Sequence, residues 1–203
     1  CIGCGDDGTA TDTGTAGDGG GPDAPDTSVG DTGAADGSPT DGGRPTPPGP
    51  GPLPWEDCEG GGRMLDATVD DYRAMLDGLM PGDTLRLMPG TYERGLPISV
   101  AGAEGSCIVI EGVPGAARPL FNGSNAFNII AFRNASWVKV RGFDIDGLGL
   151  GGFGVASQNA DEPVHHIVIE DLEMRGLAGE RSIVGISTKT PAWDWVIRGN
   201  RIL

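Results

Sequence analysis

A phrase of eight residues occurs three times in the second half of this chain. Its copies begin at Val138, Ile167 and Trp195, so they are offset by 29 and 28 residues, and Ile110 lies 30 residues before Val140. Repetition at a nearly fixed spacing of 28–30 residues is typical of a solenoid, whose coils stack on one another and share one continuous core.

The repeats consist of short strand-like runs, separated by Gly, Pro and Asn, that begin after Gly82. A second phrase at residues 154–158 returns at residues 185–189, so more than one strand recurs in each repeat. Leucine-rich repeats are excluded because no LxxLxL framework recurs, and propeller blades need longer repeats. The pattern predicts an all-β fold, a right-handed parallel β-helix, in which each coil adds one strand to each parallel sheet. The predicted runs are residues 84–88, 98–100, 108–111, 127–132, 138–145, 154–158, 167–174, 182–188 and 195–202.

Alternation within the phrase assigns each side chain to the inside or the outside of the solenoid. The residues predicted to point inward are Val138, Val140, Phe143, Ile145, Ile167, Ile169, Leu172, Met174, Ile197 and Ile202. The charged residues predicted to stack outside are Arg141–Glu170–Arg198, Asp144–Glu173–Arg201 and Asp146–Arg175. Opposite charges on neighbouring strands stabilise a sheet by roughly 0.2–1 kcal/mol per pair, so we expect most of these charges to be structural.

One short amphipathic helix is predicted to cap the N-terminal end of the solenoid. Thr68 and Asp71 have the spacing of a capping box. Pro81 and Gly82 are expected to end the helix. The residues predicted to share its apolar face are Val69, Tyr72, Met75, Leu76 and Leu79.

The first quarter of the chain has a different composition. Residues 1–53 contain 15 Gly, 9 Asp and 8 Pro, and their only large apolar side chains are Ile2, Val29 and Leu53. So little apolar surface does not offset the entropy lost when a backbone becomes ordered. We therefore predict a disordered linker over residues 1–53 and a β-helix domain over residues 54–203.

Four cysteines bear on where the protein works. The opening Cys1-Ile2-Gly3-Cys4 resembles the processed N-terminus of a bacterial lipoprotein, in which Cys1 or Cys4 would carry the lipid anchor. The alternative is a CxxC metal or redox pair. The lipoprotein interpretation places the protein in the cell envelope, outer membrane or cell surface, or in the medium if it is secreted. In an exported protein Cys58 and Cys107 can form a disulfide.

Charge and hydropathy exclude two classes of function. The formal net charge is −15, and Lys139 and Lys189 are the only lysines, which makes the chain a poor nucleic-acid binder. No apolar run approaches the ~18 residues that indicate a transmembrane helix.

Two segments resemble a known family. Residues 82–92, Gly-Asp-Thr-Leu-Arg-Leu-Met-Pro-Gly-Thr-Tyr, resemble the N-terminal coil of right-handed β-helix proteins of the pectate-lyase-like superfamily, which includes alginate and chondroitin lyases. Residues 184–200 resemble bacterial exported right-handed parallel β-helix repeat proteins. The resemblance covers about residues 63–203. It implies an extended, acidic polysaccharide as the partner and, because the chain stops at Leu203 in mid-strand, an N-terminal fragment of a longer protein.

A polysaccharide lyase removes a proton next to a carboxylate, so it needs cations to neutralise that carboxylate and a base. The outward stack Arg133–Gln158–Lys189 is the best candidate, with Lys189 and Arg133 as catalytic residues and Gln158 as a substrate-binding residue. The alternative is a solvated polar edge. Trp193 and His165 are the other candidate substrate-binding residues, although Trp193 would serve equally well to fill a corner of a coil.

The two histidines are adjacent in sequence. By alignment we expect His166 to stack on Trp137 and His165 on Trp193. Adjacent residues of a strand point to opposite faces, so His165 and His166 are expected to be a poor joint metal site, and no metal ligand set is predicted.

Asp144, Asp146 and Glu173 are the candidates for a Ca²⁺ site or for a pair of hydrolytic carboxylates. Arg175 and Arg201 are expected to lie beside them, which favours a structural role. No other cofactor is predicted.

These observations predict an exported, monomeric β-helix protein that binds or acts on an acidic polysaccharide, as a polysaccharide lyase in the enzymatic interpretation. The alternative is a non-catalytic surface module for carbohydrate binding or adhesion.

Overall fold

A computed structural model describes residues 53, 55–124, 128–158, 161–178 and 184–203. The chain divides at residue 46, and every described residue lies in the second unit, residues 47–203. The predicted linker, apart from Leu53, and the candidate lipidation sites Cys1 and Cys4 therefore lie outside the described residues, as do the first residues of the runs predicted at 127–132 and 182–188.

The chain folds as a right-handed parallel β-helix of about four turns, as the repeats predict. Its elements are β1 (Met64–Ala67), α1 (Tyr72–Leu76), β2 (Thr84–Leu87), β3 (Thr91–Tyr92), β4 (Leu96–Ile98), β5 (Ile108–Gly112), β6 (Leu120–Asn122), β7 (Ile130–Phe132), β8 (Ser136–Arg141), β9 (Asp144–Asp146), β10 (Phe153–Ser157), β11 (Val164–Glu170), β12 (Glu173–Arg175), β13 (Val184–Thr188), β14 (Ala192–Arg198) and β15 (Arg201–Ile202). Sheet A has the order β1-β2-β5-β8-β11-β14, sheet B the order β3-β6-β9-β12-β15, and sheet C the order β4-β7-β10-β13.

The register of the strands confirms the repeat spacing. Ile110 pairs with Val140, Val140 with Ile169, and Ile169 with Ile197, all in parallel. These pairs are the offsets of 30, 29 and 28 residues that the sequence contains. Each repeat is therefore one full coil.

Each copy of the eight-residue phrase forms two strands rather than one run. The backbone turns the corner from sheet A to sheet B at Gly142, Asp171 and Gly199, which have φ angles of 75°, 51° and 63°. Glycine adopts this left-handed conformation without strain, and Asp tolerates it better than most residues. Asn200 stabilises the corner of the coil before it, at Asp171, since its Oδ1 accepts a hydrogen bond from the Leu172 amide at 3.0 Å.

The inside of the coils is the hydrophobic core. Eight of the ten predicted inward residues, at positions 138, 140, 143, 145, 167, 169, 172 and 174, are at most 1% exposed. Ile197 and Ile202 pair in register with the buried Ile169 and Met174, so they share the predicted inward position. They are 51% and 55% exposed because no described coil stacks on them. Buried aromatic rings, Tyr92, Phe121 and Phe143 among them, stack from coil to coil at centroid distances of 4.7 and 5.4 Å.

Helix α1 is shorter than predicted, and its capping is only partly that of a capping box. Asp71 Oδ1 accepts hydrogen bonds from the Thr68 amide at 2.6 Å and from the Thr68 hydroxyl at 2.9 Å, but Asp71 itself is the N-cap. Val69 lies before the helix and is 39% exposed, so its predicted place on the buried face is wrong. Tyr72 is buried and donates a hydrogen bond to the Gly95 carbonyl at 2.8 Å, which joins α1 to the first coil.

Residues 55–59, which we call the crossing segment, lie over the outer face of sheet A. A disulfide with a Cα–Cα distance of 5.8 Å joins Cys58 to Cys107, the pair expected from the sequence. Glu59 contacts Lys139 Nζ and Arg141 Nη1 at 2.9 Å each, and Lys139 is only 1% exposed. Burial raises the pKa of Glu59, but hydrogen bonds from Lys139 and Arg141 outweigh burial and bring that pKa below its usual value.

The outward charges stack as predicted. Arg141 lies 3.5 Å from Glu170, and Glu170 lies 2.7 Å from Arg198. In sheet B, Arg201 lies 3.4 Å from Glu173 and Arg175 lies 3.1 Å from Asp146.

No helix within the described ranges is long and apolar enough to cross a membrane.

Candidate functional site

The outer face of sheet C carries a cleft of about 270 Å³, which we call the arginine cleft. Its floor includes Pro97 and Ala131, which are paired residues of β4 and β7 with small side chains. Its full lining is Arg73, Glu93, Arg94, Gly95, Leu96, Pro97, Asn128, Ala131, Arg133 and Gln158.

Coil stacking brings the predicted residues Arg133, Gln158 and Lys189 to equivalent positions. Each directly follows a strand of sheet C, and the last residues of those strands, Phe132, Ser157 and Thr188, are paired in register. The Arg133 amide donates to the Ile98 carbonyl at 2.9 Å, and the Gln158 amide donates to the Phe132 carbonyl at 3.0 Å. The row of polar residues expected from the sequence is therefore present where the strands of sheet C end.

The side chains of this row have different surroundings. Gln158 accepts a hydrogen bond from the Asn128 side-chain amide. Lys189 Nζ lies 3.3 Å from the centroid of the Phe153 ring, a cation–π contact. The Lys189 amide donates to the hydroxyl of Ser157 at 2.9 Å. The Arg133 side chain has no such partner among the described residues and is exposed.

Three arginines that line the cleft, and Lys189 directly after β13, have no carboxylate partner among the described residues. Within the described part of the chain, no Asp or Glu lies at ion-pair distance from Arg73, Arg94, Arg133 or Lys189. The other described arginines do have such a partner, namely Arg63, Arg86, Arg118, Arg141, Arg175, Arg198 and Arg201. In a chain with a net charge of −15, this separation marks the arginine cleft as a local positive patch.

The arginines of the cleft affect the pKa of the buried Tyr72. Burial raises the pKa of Tyr72, while the charges of Arg73 and Arg94 act in the opposite direction. Arg73 Nη1 also donates to the Arg94 carbonyl at 2.9 Å, which fixes the two arginines relative to each other. Glu93, the one carboxylate in the lining, accepts a hydrogen bond from Asn122 at 2.9 Å.

Arg73, Arg94 and Asn128 were not found by sequence reasoning. Arg73 belongs to α1, Arg94 to the turn between β3 and β4, and Asn128 to the segment before β7. None belongs to a repeated phrase. The sequence carried no signal for them, because alignment of the coils compares only positions within the repeats.

His165 and Trp193 lie at the beginning of sheet A strands, around a turn from the arginine cleft. They are paired in β11 and β14, and their rings are parallel within 3° at 5.1 Å, as the alignment predicted. In the described ranges, neither residue contacts Arg133, Gln158 or Lys189. The predicted site residues thus form two groups rather than one.

The expectation that the two histidines point to opposite faces is wrong. His166 has a φ angle of 53°, and this left-handed conformation turns its ring toward His165, with Nδ1 atoms 2.6 Å apart. In the neutral pair one ring donates this hydrogen bond and the other accepts it. Burial and the neighbouring His166 lower the pKa of His165.

His166 also stacks on Trp137 at 3.9 Å, as predicted, and its Nε2 lies 3.5 Å from Asp194. Among the described residues there is no group of three or more metal-ligating side chains.

The candidate calcium ligands are engaged by arginines. Asp144 contacts Arg118 at 2.6 Å, Asp146 contacts Arg175 at 3.1 Å, and Glu173 contacts Arg201 at 3.4 Å. These residues do not fit a calcium site as they stand, because the ion would have to displace an arginine from each carboxylate.

Comparison with known proteins identifies the fold. No family model matches the chain, and no curated protein matches it by sequence. A solved structure described as a GH136 lacto-N-biosidase from Eubacterium ramulus matches with a TM-score of 0.57 and 13% identity. The match covers 70% of this chain and 34% of that chain, so the chain spans about a third of the length of this structure. At this identity the likeness is one of fold, a parallel β-solenoid.

Proposed function

We propose that the chain binds an extended acidic polysaccharide in the arginine cleft. The observation that carries this proposal is that Arg73, Arg94 and Arg133 line one cleft of a strongly acidic chain and pair with no carboxylate of the described residues. A guanidinium presents a planar fork of donors that matches a carboxylate. A uronate polymer supplies carboxylates at regular intervals, so it fits this patch better than a neutral sugar does.

Strand spacing supports a ligand that runs along the solenoid axis. Neighbouring strands lie roughly 4.8 Å apart, so Arg133 and Lys189, two strands apart, begin about 10 Å from each other. Gln158 lies between them and offers hydrogen bonds to hydroxyl groups. A polymer that follows the turn toward sheet A would also reach Trp193 and His165. The solenoid fold of a protein described as a lacto-N-biosidase agrees with a sugar ligand.

Binding without cleavage is the function that the geometry supports best. A lyase base must be free to take a proton from the substrate, but the Lys189 amino group lies against the Phe153 ring, 3.3 Å from its centroid. The guanidinium of Arg133 is a very weak base. A polysaccharide lyase is our second candidate, because the same cations would neutralise the carboxylate next to the proton that is removed.

One experiment separates these two functions. The full chain is incubated with alginate, pectate and chondroitin while the ultraviolet absorbance of unsaturated uronates is followed. Binding is measured in parallel by calorimetry. A binding isotherm with constant absorbance supports the binding module, whereas rising absorbance shows a lyase.

Salt and a neutral polymer test the charge argument. Affinity for the acidic polymer is expected to fall as salt rises, because the contacts are between opposite charges. A neutral glucan is expected not to bind. Equal affinity for the two polymers, or affinity that does not change with salt, contradicts the proposal.

Export with a lipid anchor on Cys1 or Cys4 is also our proposal. The disulfide between Cys58 and Cys107 supports it, since such bonds persist in oxidising compartments. Mass spectrometry of the N-terminal peptide from membranes of an expressing bacterium tests it, and an unmodified peptide found in the cytosol contradicts it.

A further inference from the structure

A second cleft, of about 420 Å³, lies between the crossing segment and the outer face of sheet A. We call it the aromatic cleft. Its functional lining is Trp55, Trp137, His166, Asp57, Glu59 and Glu104. It shares no lining residue with the arginine cleft, so a ligand bound here would be distinct from the acidic polysaccharide.

Two tryptophans from different segments of the chain line this cleft. Trp137 has a φ angle of 55° inside β8, and this left-handed conformation places its ring against His166 at 3.9 Å. Trp55 comes from the crossing segment and meets the same His166 ring edge-on, at 5.0 Å and 67°. The Cys58–Cys107 disulfide holds the crossing segment in place. Both indoles remain partly exposed.

The charges around the aromatic cleft favour a cation. Asp57 lies 3.2 Å from Arg198, and Glu59 lies 2.9 Å from Lys139 and from Arg141, so the basic groups there are already paired. Glu104 has no ion-pair partner in the part of the chain that the structure describes, and it is exposed. An incoming anion would meet carboxylates, whereas a cation would meet a free carboxylate beside aromatic rings.

We propose that the aromatic cleft binds an amino sugar in its ammonium form. The apolar face of the sugar ring packs on an indole of Trp55 or Trp137. The ammonium group lies near the indole face and pairs with the Glu104 carboxylate. An ammonium ion is attracted by the electron-rich face of Trp, and the attraction is stronger where water is partly excluded. This inference does not depend on the function of the arginine cleft.

The test titrates the full chain with a glucosamine oligomer, with its N-acetylated form and with trilysine, a cation that is not a sugar. Tryptophan fluorescence and calorimetry report binding. The glucosamine oligomer is expected to bind at least about tenfold more tightly than the other two ligands. Equal binding of the N-acetylated oligomer, equal binding of trilysine, or no saturable binding of the glucosamine oligomer would overturn the proposal.

Variants locate the site. Glu104→Gln is expected to weaken binding of the glucosamine oligomer by about tenfold, and Trp55→Ala by more. Glu162→Gln removes the same charge from an exposed glutamate that lines neither cleft, and it is expected to leave binding unchanged. Unchanged binding by Glu104→Gln, or an equal loss in Glu162→Gln, overturns the assignment. Since Glu104 is exposed, its substitution tests the proposal even if Trp55→Ala does not fold.

Discussion

At the scale of single residues, Asp83 is a carboxylate with several hydrogen-bond donors around it. It is buried, accepts hydrogen bonds from the Arg63 amide at 3.1 Å and the Met80 amide at 2.8 Å, and pairs with the Arg63 side chain. The Arg63 side chain is the main reason that the pKa of Asp83 falls from 3.8 to about 2.

Asp83→Asn is therefore expected to lower the free energy of unfolding by about 2 kcal/mol at neutral pH. A lowered carboxyl pKa stabilises the fold above pH 3.8, and this stabilisation is lost as the pH falls toward 2. Urea unfolding of the unmodified protein and of Asp83→Asn, at neutral and at acidic pH, measures this contribution. The gap between the two proteins should shrink in acid, and a gap that stays constant would contradict this role for the charge.

His165 also makes the fold less stable in acid, but over a higher pH range. Its pKa is lowered by burial and by His166, so the folded chain binds fewer protons than the unfolded chain just below pH 6.5. Stability should therefore fall on acidification through this range. His165→Phe keeps a ring against Trp193 but does not titrate, so its thermal midpoint should fall less between neutral pH and about pH 5. Identical falls in the two proteins would show that His165 is not responsible.

At the scale of secondary-structure elements, close coil stacking requires glycine at particular corners. A Cβ on Gly112 would lie 2.2 Å from the Gly142 carbonyl oxygen of the next coil, whereas a Cβ on Gly115 meets nothing within 4 Å. Gly115 has a φ angle of 77°, so its substitution costs only backbone strain.

Gly112→Ala is expected to destabilise the protein by about 3 kcal/mol, because two backbones must separate. Gly115→Ala is expected to cost about 1 kcal/mol. Urea unfolding of the two variants compares them directly. An equal cost would mean that backbone conformation, not coil spacing, limits these corners.

The strands of the repeats could be predicted because inward positions must be apolar in every coil, which leaves a period in the sequence. Strands β1, β3 and β6 left no such trace, since they lie outside the repeated phrases and are only two to four residues long. The phrases at Val138, Ile167 and Trp195 were predicted as single runs. Their corner residue turns the backbone without changing the apolar pattern on either side.

The candidate site was only partly predictable for a related reason. Arg133, Gln158 and Lys189 share one repeat position, so alignment placed them together. Arg73 and Arg94 come to line the arginine cleft with Arg133 and Gln158 only after the first coil closes on α1. The left-handed backbone at Trp137 and His166 was also invisible in the sequence, because only a small minority of non-glycine residues adopt that conformation.

At the scale of the whole molecule, the solenoid separates its charges. Sheets A and B carry ladders in which each arginine contacts a carboxylate, and these ladders hold the coils together. No described carboxylate pairs with Arg133 or Lys189, which follow strands of sheet C, or with Arg94, which lies in the turn before β4. The crossing segment covers sheet A with carboxylates, which leaves sheet C as the face that attracts an acidic polymer. This asymmetry is the basis of the proposed function.

The most direct test compares binding of polygalacturonate by the full chain with binding by the double variant Arg94→Gln and Arg133→Gln. The matched control is Arg86→Gln, because Arg86 pairs with Asp66 on sheet A and does not line the arginine cleft. The double variant is expected to bind at least about tenfold more weakly, while the control binds like the unmodified chain. If the double variant retains full affinity, or if the control loses as much, the arginine cleft is not where the polysaccharide binds.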